Sequence, residues 1–225
     1  MAEPAPTAPS RTPAVTPQRE AVVTAIRRAI VRGDLRPGEK LREVHLAAEL
    51  EVSRATLREA LNLLVRDGLL VQEPYRGFGV TRLDPAAIRD LAETRVPLDL
   101  IAVDAILRDV TGRRRQLVRD AWAEFERVAL DPDPLARHEA HVAFHHALWV
   151  ATENTVLLRL WPVTEGLTTI ALAQEQASRA DPDRAYTVHR ELVDAVLSGD
   201  RTAIEDRLRH HTIDSAEDFL RLHEA

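Results

Sequence analysis

Apolar residues recur at helical spacing through nearly all of this chain and at strand spacing in one short stretch. Over residues 18–32, Val22, Ile26, Ala29 and Ile30 share one helical face, and Gly33 follows as a C-terminal stop. GDLRPGEKL then turns at Pro37 and Gly38, with Leu35 and Leu41 as the apolar anchors of the loop. A short helix over 43–50 turns Leu46, Ala47 and Leu50 inward, Val52 and Ser53 make a tight turn, and the Ser53 hydroxyl can cap the next helix. That helix, over 54–66, buries Leu57, Ala60, Leu61, Leu64 and Val65, while Arg54, Ala55, Arg58 and Asn62 stay outside. Two alternating runs, LLVQE and FGVTRL, flank PYRG with Gly77 and Gly79, which predicts a β-hairpin. Helix, helix-turn-helix and hairpin in this order make a winged helix.

From Asp84 and Pro85 onward only helical periodicity appears. Helices are predicted over 85–108, 113–130, 134–152, 155–178, 183–197 and 201–223, with breaks at TG, DPDP, EN, DPD and SGD. Pro97 lies inside the first of them and should kink it. Six helices with short links suggest an antiparallel bundle. The expected fold is therefore mainly α: an N-terminal winged helix-turn-helix with a small hairpin wing over 18–83, and an all-α bundle over 84–225 that would carry a metal or effector site. Residues 1–17, MAEPAPTAPSRTPAVTP, read as a disordered tail, without the basic-then-apolar order of a secretory signal.

Charge sharpens this division. The whole chain carries −6, but residues 1–83 sum to +3 and residues 84–225 to −9. A mildly basic head on an acidic body fits a DNA-binding module attached to a domain that does not touch DNA. With 225 residues and 45% apolar content there is enough chain for two cores. No run of about 18 apolar residues is evident, so no membrane span is expected. The lack of cysteine excludes disulfides and thiolate metal sites, and the default expectation is a cytoplasmic protein.

The spaced elements GDLRPGEKL, LAAEL, VSRATLREAL and DGLL, followed by a Gly-containing wing, resemble the GntR family of bacterial transcription regulators across residues 18 to about 83. One position departs: the turn residue before Val52, usually Gly in that family, is Glu51, and a side chain on left-handed backbone there costs roughly 1 kcal/mol. The resemblance implies that the second helix enters the major groove, that Ser53, Arg54, Thr56 and Arg58 contact DNA, and that Gly77 lies in the wing near the minor groove. Arginine can bridge guanine O6 and N7, whereas Ser and Thr hydroxyls mostly fix phosphates, so Arg54 or Arg58 is the expected base reader. The bland alternative is a solvated face with Arg58 paired to Asp67 or Glu59.

Eight of the nine histidines come after residue 137. His141 and His145 are four apart on one helix, a spacing that can chelate one ion. His189 and His211 lie on the last two predicted helices and can face the same point if those helices are antiparallel neighbours. HVAFHHALWVATEN and HRELVDAVLSGDRTAIEDRLRHH resemble the FCD ligand-binding domain, whose combination with a GntR head defines the FadR-type subfamily. The resemblance covers about 85–222 and places its metal positions on His141, His145, His189 and His211. His141 stands where the family usually has Asp, so no protein carboxylate offsets the ion's charge. That favours Zn²⁺, with Ni²⁺ as the second candidate, over Mg²⁺ or Ca²⁺, and favours an anionic outside ligand. His138, three before His141, is the competing donor; His146 and His210 point away by roughly a quarter turn. AETRVPLDLIA matches the domain's first helix, with Arg95 placed to take an effector carboxylate and Asp99 replacing the usual Glu; an Arg95–Asp99 ion pair is the plainer role. Trp122, Trp149 and Trp161 are expected in the packing, with Trp149 or Trp161 as candidates for lining a cavity.

The expected function is a metabolite-responsive regulator, a repressor in most relatives, that binds double-stranded operator DNA as a homodimer and is controlled by a small carboxylate in a metal-assisted cavity. One rival is a DNA-binding protein with a purely structural metal. Another, a metal-dependent hydrolase, is disfavoured because Val142 stands where zincin chemistry needs Glu and no G-x-S-x-G motif occurs.

Overall fold

The computed structural model describes residues 17–176 and 181–224. The tail predicted over 1–17 falls outside these residues except for Pro17, which opens helix α1 (Pro17–Arg32) as a residue whose missing N–H costs nothing there. Helices α2 (Glu43–Glu49) and α3 (Arg54–Arg66) come next, then strands β1 (Leu70–Glu73) and β2 (Gly77–Val80). The strands pair antiparallel with Leu70 opposite Val80 and Glu73 opposite Gly77, and Lys40 adds a bridge to Gly79 at the outer edge. The fold is thus a winged helix, with Ile26, Ile30, Leu57, Leu61, Leu64 and Phe78 at its centre.

Helices α4 (Pro85–Leu107), α5 (Arg113–Val128), α6 (Pro134–Val150), α7 (Thr155–Gln176), α8 (Pro182–Ser198), α9 (Arg201–Arg209) and α10 (Ser215–Glu224) make up the rest. Three begin with an Asp-Pro pair, in which Asp84, Asp133 or Asp181 caps a backbone N–H of the first turn while the proline supplies pre-set helical φ. Helix α4 runs on through Pro97 as one element. The core of this part gathers Phe144, Trp149, Leu192, Val196 and Ile204, with Trp122 and Phe125 tilted against each other.

Periodicity predicts one helix over 201–223, and the structure interrupts it. A π-helical segment, His210–Asp214, lies between α9 and α10. The hydroxyls of Thr212 and Ser215 donate to the carbonyls of Leu208 (2.7 Å) and His210 (3.2 Å), giving those oxygens partners around the widened turn. Such a turn inserts a residue and rotates the register of the helix beyond it, an effect that periodicity alone does not reveal.

The two parts share packing through α7. Ile170, fully buried, belongs to the winged-helix core, with Ala173 packed beside it. The Gln174 amide accepts from the Leu83 N–H (2.9 Å) and donates to the Leu83 carbonyl (3.1 Å), which fixes the segment leading into α4. Arg27 of α1 bridges Glu165 of α7 and Asp67 at the end of α3. By length and composition α7 would also pass for a membrane span, with a mean hydropathy of 1.2 over its best window. Part of this apolarity has a local reason, since α7 touches the winged helix on one side and the bundle on another, while Val156, Leu160 and Val163 stay exposed.

Glu51 is left-handed, at φ 54°, so the side chain that replaces the expected glycine is strained by about 1 kcal/mol.

Candidate functional site

His141 and His145 project from α6, His189 from α8 and His211 from the π-helical segment. Their ring nitrogens converge, with one donor atom from each lying within 4.8 Å of all the others. His145 Nε2 is 3.1 Å from both His189 Nε2 and His211 Nε2. Two nitrogens bound at about 2.1 Å to one ion stand about 3.0 Å apart at a right angle and about 3.4 Å at the tetrahedral angle, so these separations suit a shared ion. His189 Nδ1 lies 2.6 Å from the Ala185 carbonyl, which only accepts; the proton therefore sits on Nδ1, and Nε2 presents its lone pair to the cluster. His141 Nδ1 is buried without a hydrogen-bond partner. The residues present fit a divalent transition metal.

All four rings are held neutral. Burial pushes His189 down to about 4, against the opposing hydrogen bond to Ala185 and with nearby Arg95 assisting. Burial likewise holds His141, His145 and His211 well below the ordinary histidine range, and neighbouring imidazoles and Arg95 depress them further. Neutral imidazole is the form that ligates.

His138 does not join the cluster. It is buried with Nε2 3.3 Å from Thr169 Oγ1 of α7, and burial, then Arg27, lowers it to about 4. His146 lies tilted against Trp161 at 4.9 Å between ring centroids, and His210 Nδ1 sits 3.1 Å from Asp214.

Arg95 reaches the cluster from α4. Its guanidinium lies 3.3 Å from Asp99 and 3.5 Å from His145 Nδ1, while Trp149 Nε1 donates to the other Asp99 oxygen at 2.7 Å. The ion pair expected as the plainer role is present, yet Arg95 Nε remains buried and unpartnered. Arg95, His141, His189 and His211 line a cavity of about 550 Å³. Trp149 and Trp161 are absent from its described lining: Trp149 is committed to the core and to Asp99, and Trp161 packs on it at 5.1 Å. Sequence reasoning misses Thr168, whose buried hydroxyl also lacks a partner and belongs to the cavity lining. No local pattern marked it, because α7 has no single apolar face from which a cavity side could be read.

At the other end of the molecule, Ser53 caps α3 by accepting from the Thr56 N–H (3.0 Å), and its Oγ also pairs with Thr56 Oγ1 (2.8 Å). Arg54 is exposed and has no ion-pair partner among the described residues. Arg58, half exposed, stands 3.4 Å from Glu43 of α2 and 5.6 Å over the Phe78 ring. The local partners expected for Arg58 are used elsewhere, Asp67 by Arg27 and Glu59 by Arg19. Glu43 also faces Gly77, where an added Cβ would sit 3.5 Å from its carboxylate oxygen. Arg54, Arg58 and the wing thus lie on one open side, with Tyr75 fully exposed at the hairpin tip.

A winged helix with an open basic helix, packed on a helical domain with a cavity, is the build of a transcription regulator. The family models agree part by part: residues 18–80 match the bacterial regulatory proteins of the gntR family, and residues 90–214 match the FCD domain. The chain belongs to the GntR family of transcriptional regulators, with an FCD domain as its C-terminal part, and it is a regulator rather than an enzyme. It is 31% identical over 192 residues to a Paenarthrobacter nicotinovorans protein named "Probable D-xylose utilization operon transcriptional repressor", covering 81% of this chain and 80% of that one. It is 26% identical over 196 residues to the Escherichia coli transcriptional repressor GlaR, covering 82% and 87%. Among solved structures, a GntR-type regulator from Rhodococcus sp. RHA1 superposes with a TM-score of 0.74 at 24% identity, covering 91% of this chain and 98% of that one, a likeness of fold.

Proposed function

We propose that this protein is a metabolite-responsive repressor that binds operator DNA as a homodimer and is controlled by a small carboxylate in the histidine-lined cavity, with a divalent transition metal held by His141, His145, His189 and His211. One observation carries the reading: α7 contributes Thr168, Leu172 and Glu175 to the cavity and, from its other side, Gly166 and Ile170 to the winged helix. Whatever fills the cavity therefore touches the helix that positions the DNA reader.

The donor set consists of four neutral nitrogens, which suits Zn²⁺ or Ni²⁺ better than Mg²⁺ or Ca²⁺. When bound, the ion would supply concentrated positive charge beside the Arg95 guanidinium. No carboxylate is among the four donors to offset it, and Asp99 is already engaged by Arg95 and Trp149. That imbalance favours an anion from outside. A purely structural ion would be sealed by protein, whereas three of these four histidines line the cavity. Metal analysis of the dialysed protein should find about one Zn²⁺ or Ni²⁺ per chain, and His145→Ala or His189→Ala should cut retention by roughly tenfold or more. Unchanged content in both variants would contradict the assignment.

On the DNA side, Arg54 is the favoured base reader because no acid among the described residues competes for it. Arg58 must first leave Glu43 or bring it along. Ser53, Thr56 and the wing at Gly77 are assigned to backbone contacts. Arg54→Ala should weaken operator binding by roughly 10- to 100-fold at fixed salt, and Arg58→Ala by less. Fluorescence anisotropy on a fragment selected from genomic DNA gives both values; equal, small losses would remove Arg54 from that role. For the dimer, Val156, Leu160 and Val163 form a stripe along α7 that this chain leaves open, and two-fold pairing would present two recognition helices to two half-sites.

A further inference from the structure

The cavity has a polar end and an apolar end, set by helical register. On α4, Arg95 lies at the cluster, and Leu91 and Ile88 continue along the same face one and two turns toward the helix start. After the π-helical segment, Phe219 lies two turns beyond His211 on the same lining. Ile88 and Phe219 are packed together in one cluster, so the two helices bring their apolar residues to the same end. Seven or eight helical residues span roughly 10 Å, which is the distance over which the lining changes character. Leu172 of α7 and Val188 of α8 add to the apolar wall.

Polar groups able to receive a ligand are few. The described lining holds three hydroxyls, and two are already committed: Thr212 donates to the Leu208 carbonyl and Ser215 to the His210 carbonyl. Thr168 Oγ1 is buried without a partner, as is Arg95 Nε. Two unsatisfied polar atoms on residues of one cavity mark the place of a polar ligand group. Besides Arg95 the lining holds four charged side chains, each engaged: Arg184 with Asp218 at 3.2 Å and Glu175 at 3.9 Å, Arg137 with the Asp131 carbonyl, and Asp181 with the Arg184 N–H.

From this we infer that the occupant is an extended monocarboxylic acid with an apolar chain or ring, about six to nine carbons long by the helical span, and not a polyhydroxylated sugar acid. This rests on the proposed carboxylate effector and specifies its class. The carboxylate belongs beside Arg95 and the histidines, with Thr168 as the one further hydrogen-bonding point. The body of the ligand lies against Leu91, Leu172, Ile88 and Phe219. A polyol in this position would strip water from several hydroxyls with no partner to replace it. Each methylene moved from water into such a wall strengthens binding by roughly fourfold.

Isothermal titration of the full-length, Zn²⁺-loaded protein with acetate, hexanoate, gluconate and hexan-1-ol tests this. Hexanoate and gluconate have the same carbon count and differ in hydroxylation. Hexanoate should bind at least tenfold more tightly than acetate, gluconate no more tightly than acetate, and hexan-1-ol without measurable heat. Leu172→Asn should lower the ratio of hexanoate to acetate affinity by several-fold. Gluconate binding as tightly as hexanoate, or a ratio unmoved by Leu172→Asn, would overturn the inference while leaving a carboxylate site. If none of the acids binds, the carboxylate reading fails, and the inference with it.

Discussion

Gly166→Ala is expected to loosen the joint between the two parts of this protein and lower its melting temperature by roughly 6–12 °C, the equivalent of about 3 kcal/mol for a chain of this length. A Cβ built at Gly166 would lie 1.8 Å from the Asp67 carbonyl oxygen and 2.9 Å from its carbon, a contact with backbone that no rotamer change relieves. Asp67 is the C-cap of α3, so the displaced group is the end of the recognition helix. Around this contact, Arg27 ties Glu165 to Asp67, and Ile170 fills the winged-helix core one turn further on. Separation of α7 from α3 by even an ångström would loosen all three. Gly33→Ala is the control. Its Cβ would meet nothing within 4 Å, although φ is +81°, so its cost stays near the 1 kcal/mol of left-handed backbone. Calorimetry of both variants checks the difference. Equal melting temperatures would mean that α7 does not press on α3 in solution.

Metal-free protein should lose stability steeply as pH falls from 6.5 toward 4. Five buried histidines have folded-state values depressed below 6.5, with His138 and His189 near 4. A depressed value means that the unfolded chain takes up protons that the folded chain refuses. The stabilisation is complete above 6.5 and is withdrawn progressively as pH falls, down to about 4 for His138 and His189. For His138 and His189 the change is on the order of 3 kcal/mol each, against a total stability of roughly 5–15 kcal/mol for an ordinary domain. Acid unfolding of the metal-free protein is thus expected with a midpoint between pH 5 and 6. Zn²⁺ should move it lower, because an ion on the ligating histidines competes with protons. Denaturant melts at pH 7.5, 6.0 and 5.0 measure this; equal stabilities at 7.5 and 5.0 would contradict it.

Much of this was legible in the sequence because it rests on local rules. The winged helix follows from side-chain period, from a capping Ser53 and from a hairpin bounded by glycines. The Asp84-Pro85 pair announced a helix start, while the pairs at Asp133 and Asp181 read only as breaks. The convergence of His141, His145, His189 and His211 was readable from i, i+4 spacing and from the family resemblance together. The features that were not legible depend on distant partners. Glu43 holds Arg58 across two helices. Thr169 takes up His138, which spacing alone left as a rival donor. The π-helical segment interrupts a stretch that periodicity reads as one continuous helix. The double role of α7 was hidden because a helix apolar on several sides has no single face to read, and only packing shows which side meets which neighbour.

The central claim is that the histidine cavity controls DNA binding, and operator affinity with and without a cavity ligand tests it most directly. The comparison needs Zn²⁺-loaded protein, one operator fragment and one salt concentration, since phosphate contacts make affinity salt-dependent. With saturating hexanoate, or whichever acid binds best by calorimetry, the dissociation constant for operator should rise by roughly 5- to 150-fold, the range of an ordinary coupling between two sites. His189→Ala should abolish the difference. Superimposable isotherms with and without an acid shown to occupy the cavity would contradict the account.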